Sequence, residues 1–245
     1  MIVVSAGMQK AASASYFNLA NAMLMAAGYE DVHVLRQRFG FGFFMSKVNC
    51  NVGPLRAYKL AWLSLPHWLG QSLVVKTHEP PSPSARLLIR LGLVKPTYIF
   101  RDPRDVAVSL YEHGERIRRG GQDSMTQFDE LKTIADAILF TGRLVPIWRA
   151  WTGLKGCLSV RFEDFTTDMM REAERLNFHL ALGLDQAALR AITSRLDPTS
   201  APASALPGSM HLNSGKRGRW EARMSDSDKE LSSKVLGPHL AAMGY

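Results

Sequence analysis

The sequence predicts an α/β fold of three layers, with a central, mostly parallel sheet flanked by helices. Three observations predict it. Short apolar, β-rich runs alternate along the chain with helical stretches, as strands joined by crossover helices require. The chain has 245 residues, enough for one domain spanning 1–245 with a large core. The residues suited to binding anions or moving protons fall just after the apolar runs, where open parallel sheets bind their ligands.

The elements follow in order. Ile2 to Ser5 reads as a first short strand, and Ala12 to Ala27, rich in Ala, Leu and Met, as a helix. Val32 to Leu35 reads as a second short strand, Leu73 to Lys76 as a third and Thr97 to Phe100 as a fourth. Asp102 or Pro103 opens the next helix, which includes Asp105 to Glu112. Leu158 to Arg161 is a fifth strand, followed by an acidic turn and a helix around Met169 to Leu182. Two stretches stand apart. Arg36 to Gly70 is aromatic-rich and irregular, with Phe39, Phe41, Phe43, Phe44, Trp62 and Trp68. Asp197 to Gly215 carries three prolines and two glycines and reads as a long loop.

Composition narrows the function. The hydrophobic fraction is 46%, ordinary for a globular protein. Cys50 and Cys157 are too few for a disulfide framework or a metal cluster and read as buried small apolar residues. The first residues lack a basic region ahead of an apolar run, so no signal peptide is expected. The stretch from Leu19 to Gly28 is too short to span a bilayer. A cytoplasmic protein without a membrane span is expected. Thirty basic residues against 22 acidic give a net charge of +8, which suits an anionic ligand: nucleic acid, anionic lipid or a multiply phosphorylated nucleotide.

Three segments carry chemistry. Gly7-Met8-Gln9-Lys10-Ala11-Ala12-Ser13-Ala14-Ser15 lies between a strand and a helix. Small residues let the backbone wrap an anion, and the helix N-terminus favours phosphate there. Lys10 adds a point charge and Ser13 a hydroxyl. The segment fits a plain strand–helix turn equally well. Val74-Val75-Lys76-Thr77-His78-Glu79-Pro80-Pro81 ends a strand. Lys76 and His78 are two residues apart and so share a side. A histidine beside a lysine there suits a general base, although a loop histidine alone is commonplace. In Arg101-Asp102-Pro103-Arg104-Asp105-Val106-Ala107-Val108-Ser109, Arg101 ends a strand and Ser109 lies two turns into a helix, so both can meet one anion. An Arg–Asp surface cluster is the plainer alternative for that segment.

Taken together, these segments resemble the sulfotransferase family, the P-loop-related enzymes (with a P-loop NTPase-like fold) that use 3′-phosphoadenosine 5′-phosphosulfate (PAPS). Arg101 to Ser109 is similar to that family's 3′-phosphate segment, which implies that Arg101 and Ser109 hold the 3′-phosphate. The loop Lys10, Ala11, Ala12, Ser13, Ala14 resembles the family's Lys-Ser-Gly-Thr-Thr, which binds the 5′-phosphosulfate. Lys76-Thr77-His78 resembles its Lys-Thr-His, whose histidine is the catalytic base. Val160 to Phe165 resembles Arg-Tyr-Glu-Asp-Leu, which puts Phe162 near the adenine. Asn213 to Trp220 resembles a further nucleotide loop, Arg-Lys-Gly-x-x-Gly-x-Trp, with Gly215, Lys216 and Arg217 at the nucleotide. Ala12 stands where the family has Gly, and alanine is excluded from backbone angles that Gly permits. Ser15 stands where an aromatic is common, and Asn213 and Ser214 where Arg and Lys are.

The resemblance implies in-line transfer of a sulfuryl group from PAPS to an acceptor hydroxyl or amine, leaving 3′-phosphoadenosine 5′-phosphate. His78 would act as base, Lys10 and Lys76 as charge stabilisers, and no metal is needed. A small molecule, lipid or carbohydrate acceptor is expected, walled by Phe39 to Trp68 and by Tyr111 to Phe128, and no nucleic acid. Arg116, Arg118 and Arg119 read as a solvated helix face. Two readings compete. A small-molecule kinase on the related P-loop fold predicts a Gly-Lys-Ser/Thr loop and Mg²⁺-binding carboxylates, and that loop is missing. A nucleotide-binding relative that has lost catalysis would account for the altered first and last loops.

Overall fold

The computed structural model describes residues 1–120, 128–197 and 217–245. It falls into two compact units interleaved along the chain. The first comprises Met1–Met8, Ala12–Phe100 and Ile147–Leu212; the second comprises Gln9–Ala11, Arg101–Pro146 and Asn213–Tyr245.

The first unit holds the sheet. Its strands are β1 (Ile2–Gly7), β2 (Leu73–Thr77), β3 (Val94–Phe100) and β4 (Leu158–Arg161), all parallel, in the order β2-β1-β3-β4. Every residue of β1 and β2 is buried, so neither face of the sheet is left to water there. Ala6 pairs with Thr77, Gly7 with Ile99 and Phe100 with Arg161, which brings the carboxyl ends of all four strands to one edge. Pro96 sits in β3 ahead of the pairing with β4, which begins only at Thr97, where a missing N–H is tolerated.

Helix α1 (Ser13–Ala26) packs on β1 and β2 and against α8 (Met169–Leu180) and α9 (Gln186–Leu196). Helix α3 (Ala57–Trp68) packs against α4 (Pro83–Arg90), which lies on β3. The crossover β1–α1–β2 runs one way across the sheet and β2–α4–β3 runs back, so right-handed connections place α1 and α4 on opposite faces. This is the expected three-layer α/β arrangement. Local signals set the helix starts. Ser82 Oγ accepts the Ala85 N–H at 3.1 Å ahead of Pro83, which has no N–H to leave unpaired.

Two expectations are corrected here. Val32 to Leu35 is the start of helix α2 (Val32–Arg38), not a strand. Asp31 caps it, its Oδ1 accepting the His33 N–H at 2.7 Å, and Val32 and Leu35 bury one helical face. The stretch from Arg36 to Gly70 is not irregular throughout, because it contains α3, whose Leu60 and Leu63 are buried one turn apart. The loop expected from Asp197 to Gly215 lies, beyond Asp197, outside the described residues.

The second unit is helical. It contains α5 (Pro103–Arg118), α10 (Arg219–Arg223), α11 (Asp226–Val235), α12 (Gly237–Met243) and most of α6 (Ile134–Thr152), within which the unit boundary falls after Pro146. Asp102 caps α5, accepting the Arg104 N–H at 2.9 Å, with Pro103 in the first turn. Phe128 is buried against His113 of α5 and Phe140 of α6. Arg116, Arg118 and Arg119 are exposed as expected, although Arg118 also donates to the carbonyls of Asp129 and Leu131. Among the described residues, no helix is long and apolar enough to cross a membrane, and no group of three metal-binding side chains occurs.

Candidate active site

Within the first unit, the site is built at the carboxyl edge of the sheet. β1 ends at Gly7, where the chain must pass close to β3 and to the start of α1. A Cβ at Gly7 would lie 2.8 Å from Ile99 Cγ2 and 3.0 Å from Ser13 Cβ, so only glycine fits. The Met8 N–H then donates to the Ile99 carbonyl at 2.8 Å. Ala12 precedes α1 with φ 58° and ψ 29°, in the left-handed region. The family's glycine stands at this place, and alanine adopts the glycine-like conformation rather than being excluded from it. Ala12 also brings no side-chain oxygen to cap α1. A helix N-terminus without a side-chain cap suits an anion, and the buried Ser13 is its first helical residue.

β2 delivers the next residues. Lys76 is buried and pairs in register with Ser5 of β1; its carbonyl accepts the Val52 N–H at 3.0 Å. His78, half-buried, lies one residue past the strand. Its Nδ1 is 2.6 Å from the Gly7 carbonyl oxygen. A carbonyl oxygen only accepts, so Nδ1 carries the hydrogen and the neutral ring keeps its lone pair on Nε2. The loop beyond is held by Trp151, whose Nε1–H donates to the Glu79 carbonyl at 2.9 Å. Glu79 itself is exposed. At the end of β4, Phe162 is buried as the first residue of α7 (Phe162–Thr167).

The second unit contributes a separate cluster. Lys10, with φ 62°, and the buried Ala11 also belong to this second unit. Arg101 is buried, and its Nη2 donates to Asp105 Oδ2 at 3.2 Å. Asp105 and Ser109 lie four residues apart on one buried face of α5. Asp105 does more than neutralise Arg101. Its Oδ2 also accepts the Gly218 N–H at 2.9 Å, and its Oδ1 accepts the Trp220 N–H at 3.1 Å. The Arg104 guanidinium lies 4.1 Å from the Trp220 ring centroid and pairs with Asp102 at 2.7 Å. Glu112 holds Arg219 and, at 3.4 Å, Arg223. One carboxylate thus ties the predicted 3′-phosphate arginine to the start of α10, a role that the bare Arg-Asp-Pro-Arg-Asp motif did not disclose. Arg217 is exposed at the edge of this segment, whereas Gly215 and Lys216 lie outside the described residues.

The aromatic segment expected to wall the acceptor divides. Phe41 is in the core and Phe39 and Phe44 are half-buried, while Phe43, Trp62 and Trp68 are at the surface. Burial pushes both thiols up to about 12, Cys50 and Cys157 alike, so neither is a thiolate at neutral pH.

A family model described as "Sulfotransferase domain" matches residues 69–244. Solved structures match across nearly the whole chain. One is retinol dehydratase in complex with androsterone and inactive cofactor PAP: 17% identity, TM-score 0.56, covering 98% of this chain and 80% of that one. Another is retinol dehydratase with retinol and PAP, at 18% identity and TM-score 0.59, with coverage of 98% and 80%. A third is mouse sulfotransferase SULT7A1 complexed with PAP, at 14% identity and TM-score 0.53, with coverage of 98% and 84%. At these identities the likeness is one of fold. No curated protein matches the chain.

Proposed function

The chain belongs to the sulfotransferase domain family, and from that premise we propose how its own residues divide the transfer of a sulfuryl group from PAPS to an acceptor. The residues fit a nucleotide with phosphates at two places. Lys10, Ser13 and the uncapped amides after Ala12 hold the 5′-phosphosulfate, with Ala11 and Ala14 in the same loop. Arg101, held in place by Asp105, and Ser109 hold the 3′-phosphate. Phe162 meets the adenine, and the sequence segment Gly215, Lys216 and Arg217 is assigned to the nucleotide by its resemblance to the family's last loop. When bound, PAPS supplies the electrophilic sulfur and a leaving phosphate.

The observation that carries the mechanism is the hydrogen bond from His78 Nδ1 to the Gly7 carbonyl. With the hydrogen on Nδ1, Nε2 is the nitrogen that takes the acceptor's proton as the acceptor oxygen attacks sulfur and the bridging S–O bond breaks. Lys10 and Lys76 offset charge on the transferring group and the departing oxygen, the kind of preorganised contact worth about 2.7–4 kcal/mol. The acceptor is a hydroxyl, or an amine, of a small molecule, lipid or carbohydrate. That retinol dehydratase is seen with retinol and androsterone supports an apolar alcohol. The whole chain acts as one sulfotransferase domain, and its two free thiols support a reducing, cytoplasmic setting.

The test is His78→Ala. Single-turnover transfer should fall by about 10²–10⁴-fold, the usual worth of a general base. Calorimetric affinity for 3′-phosphoadenosine 5′-phosphate should stay unchanged. Activity within a few-fold of wild type would remove His78 from the reaction.

A further inference from the structure

Several of the exposed apolar side chains fall on α3, α4 and the chain beside them in the first unit. Tyr58, Trp62, Leu65 and Leu69 recur at spacings of four, three and four residues along α3 and its end, and all are exposed. That spacing places them along one side of the helix, opposite the buried Leu60 and Leu63. Trp68 beside them is 79% exposed. Phe43 extends the stripe, its ring edge-to-face with Trp62 at 6.5 Å. Helix α4, packed against α3, adds exposed Leu87, and Leu91 just past its end is exposed too.

The segment of chain that carries this stripe is one-sided in charge, although Lys59 and Lys76 are buried and Arg38 pairs with Glu30. From Val32 to Phe100 the chain has nine Lys and Arg and a single carboxylate residue, Glu79. Lys47, Arg56 and Arg90 among them are exposed. An apolar face rich in Trp and Tyr, with exposed Arg at the ends of its helices and an exposed Lys close by in sequence, is the composition of a segment lying in a bilayer interface. The rings sit at headgroup depth and the cations meet lipid phosphates. A second copy of the chain is the poorer occupant, because a twofold contact would set this basic face against itself. At 12 residues α3 is about 18 Å long, so it can lie in the interface but not cross the bilayer.

We propose that the α3–α4 face docks on an anionic membrane surface. The proposal does not depend on the sulfuryl-transfer reading. It is tested by sedimentation with vesicles of phosphatidylcholine alone and of phosphatidylcholine mixed with phosphatidylserine. The wild type should partition at least about tenfold better onto the mixed vesicles, and added salt should abolish the difference. The double variant Trp62→Ala, Trp68→Ala should lose about tenfold on the mixed vesicles. Phe178→Ala, which removes a 90% exposed ring from α8, should change nothing. Lys47→Glu with Arg56→Glu, both at exposed positions, should erase the preference for phosphatidylserine even if the tryptophan variant fails to fold. Equal partitioning onto both vesicles, or no sedimentation with either, would overturn the proposal. So would a Trp68-dependent self-association of the protein without vesicle binding.

Discussion

Replacing Ala12 by glycine should make the protein more stable, against the usual effect of introducing glycine. Ala12 holds φ 58° and ψ 29° just before α1. An L-residue with a Cβ pays roughly 1–2 kcal/mol in that region, because Cβ crowds the following carbonyl oxygen. Glycine removes the crowding but gives the unfolded chain more freedom, a loss of roughly 0.4–1 kcal/mol. The difference leaves Ala12→Gly more stable by about 0.5–1 kcal/mol, or about 2 °C in Tm for a chain of this size. Two neighbours supply the opposite sign. Ala11 is absent from the positive-φ residues, and Ala14 lies inside α1. Glycine at either should cost about 0.5–1 kcal/mol. Urea denaturation of the three variants measures all of this in one series. A destabilised Ala12→Gly, matching its neighbours, would refute the assignment of strain to this loop.

Three further outcomes follow from the structure. Arg101→Ala should weaken 3′-phosphoadenosine 5′-phosphate by about 1.5–3 kcal/mol in calorimetry while leaving 5′-AMP nearly unchanged; equal losses would remove Arg101 from the 3′-phosphate. Asp105→Ala, which strips a buried partner from Arg101 and an acceptor from two amides, should cost about 3–5 kcal/mol in urea denaturation, and a loss under 1 kcal/mol would mean that the cluster relaxes freely. Burial holds His179 below the usual histidine range despite its hydrogen bond to the Pro96 carbonyl. The unfolded chain therefore takes up the proton first, and stability falls as pH drops below about 6.5, by at most about 1.4 kcal/mol per pH unit. His179→Gln should shrink the difference in urea midpoint between neutral and mildly acidic buffer, and an unchanged difference would place that pH dependence elsewhere.

The strands and the helix starts were legible for different reasons. β1, β2, β3 and β4 are short apolar runs ending in Gly, Thr-His, Arg-Asp-Pro or an acidic turn, so composition and punctuation agree. The start of α5 was legible because Asp102 and Pro103 are a cap and a first-turn proline. Val32 to Leu35 misled because Val-His-Val-Leu alternates like a strand, while the deciding signal was the single cap Asp31. α3 was hidden by its exposed tryptophans and by Pro66 near its end, which break the contrast between an apolar and a polar face. The role of Asp105 could not be read at all. Its amide partners, Gly218 and Trp220, come from more than a hundred residues away, and nothing local encodes that pairing.

The partner chosen for His78 bears on how any proton it accepts is handled. Histidines in hydrolytic triads lean on a carboxylate, which both orients the ring and lends the imidazolium a full counter-charge. Here the orienting group is the peptide carbonyl at the end of β1, 2.6 Å from Nδ1. A main-chain oxygen fixes the tautomer but brings only a dipole. It neither ionises nor swings away, so the ring is oriented by a strand end rather than by a mobile side chain. A protonated His78 has to give up that proton before the next turnover, and buffer-dependent turnover would be the kinetic trace of a transfer to solvent.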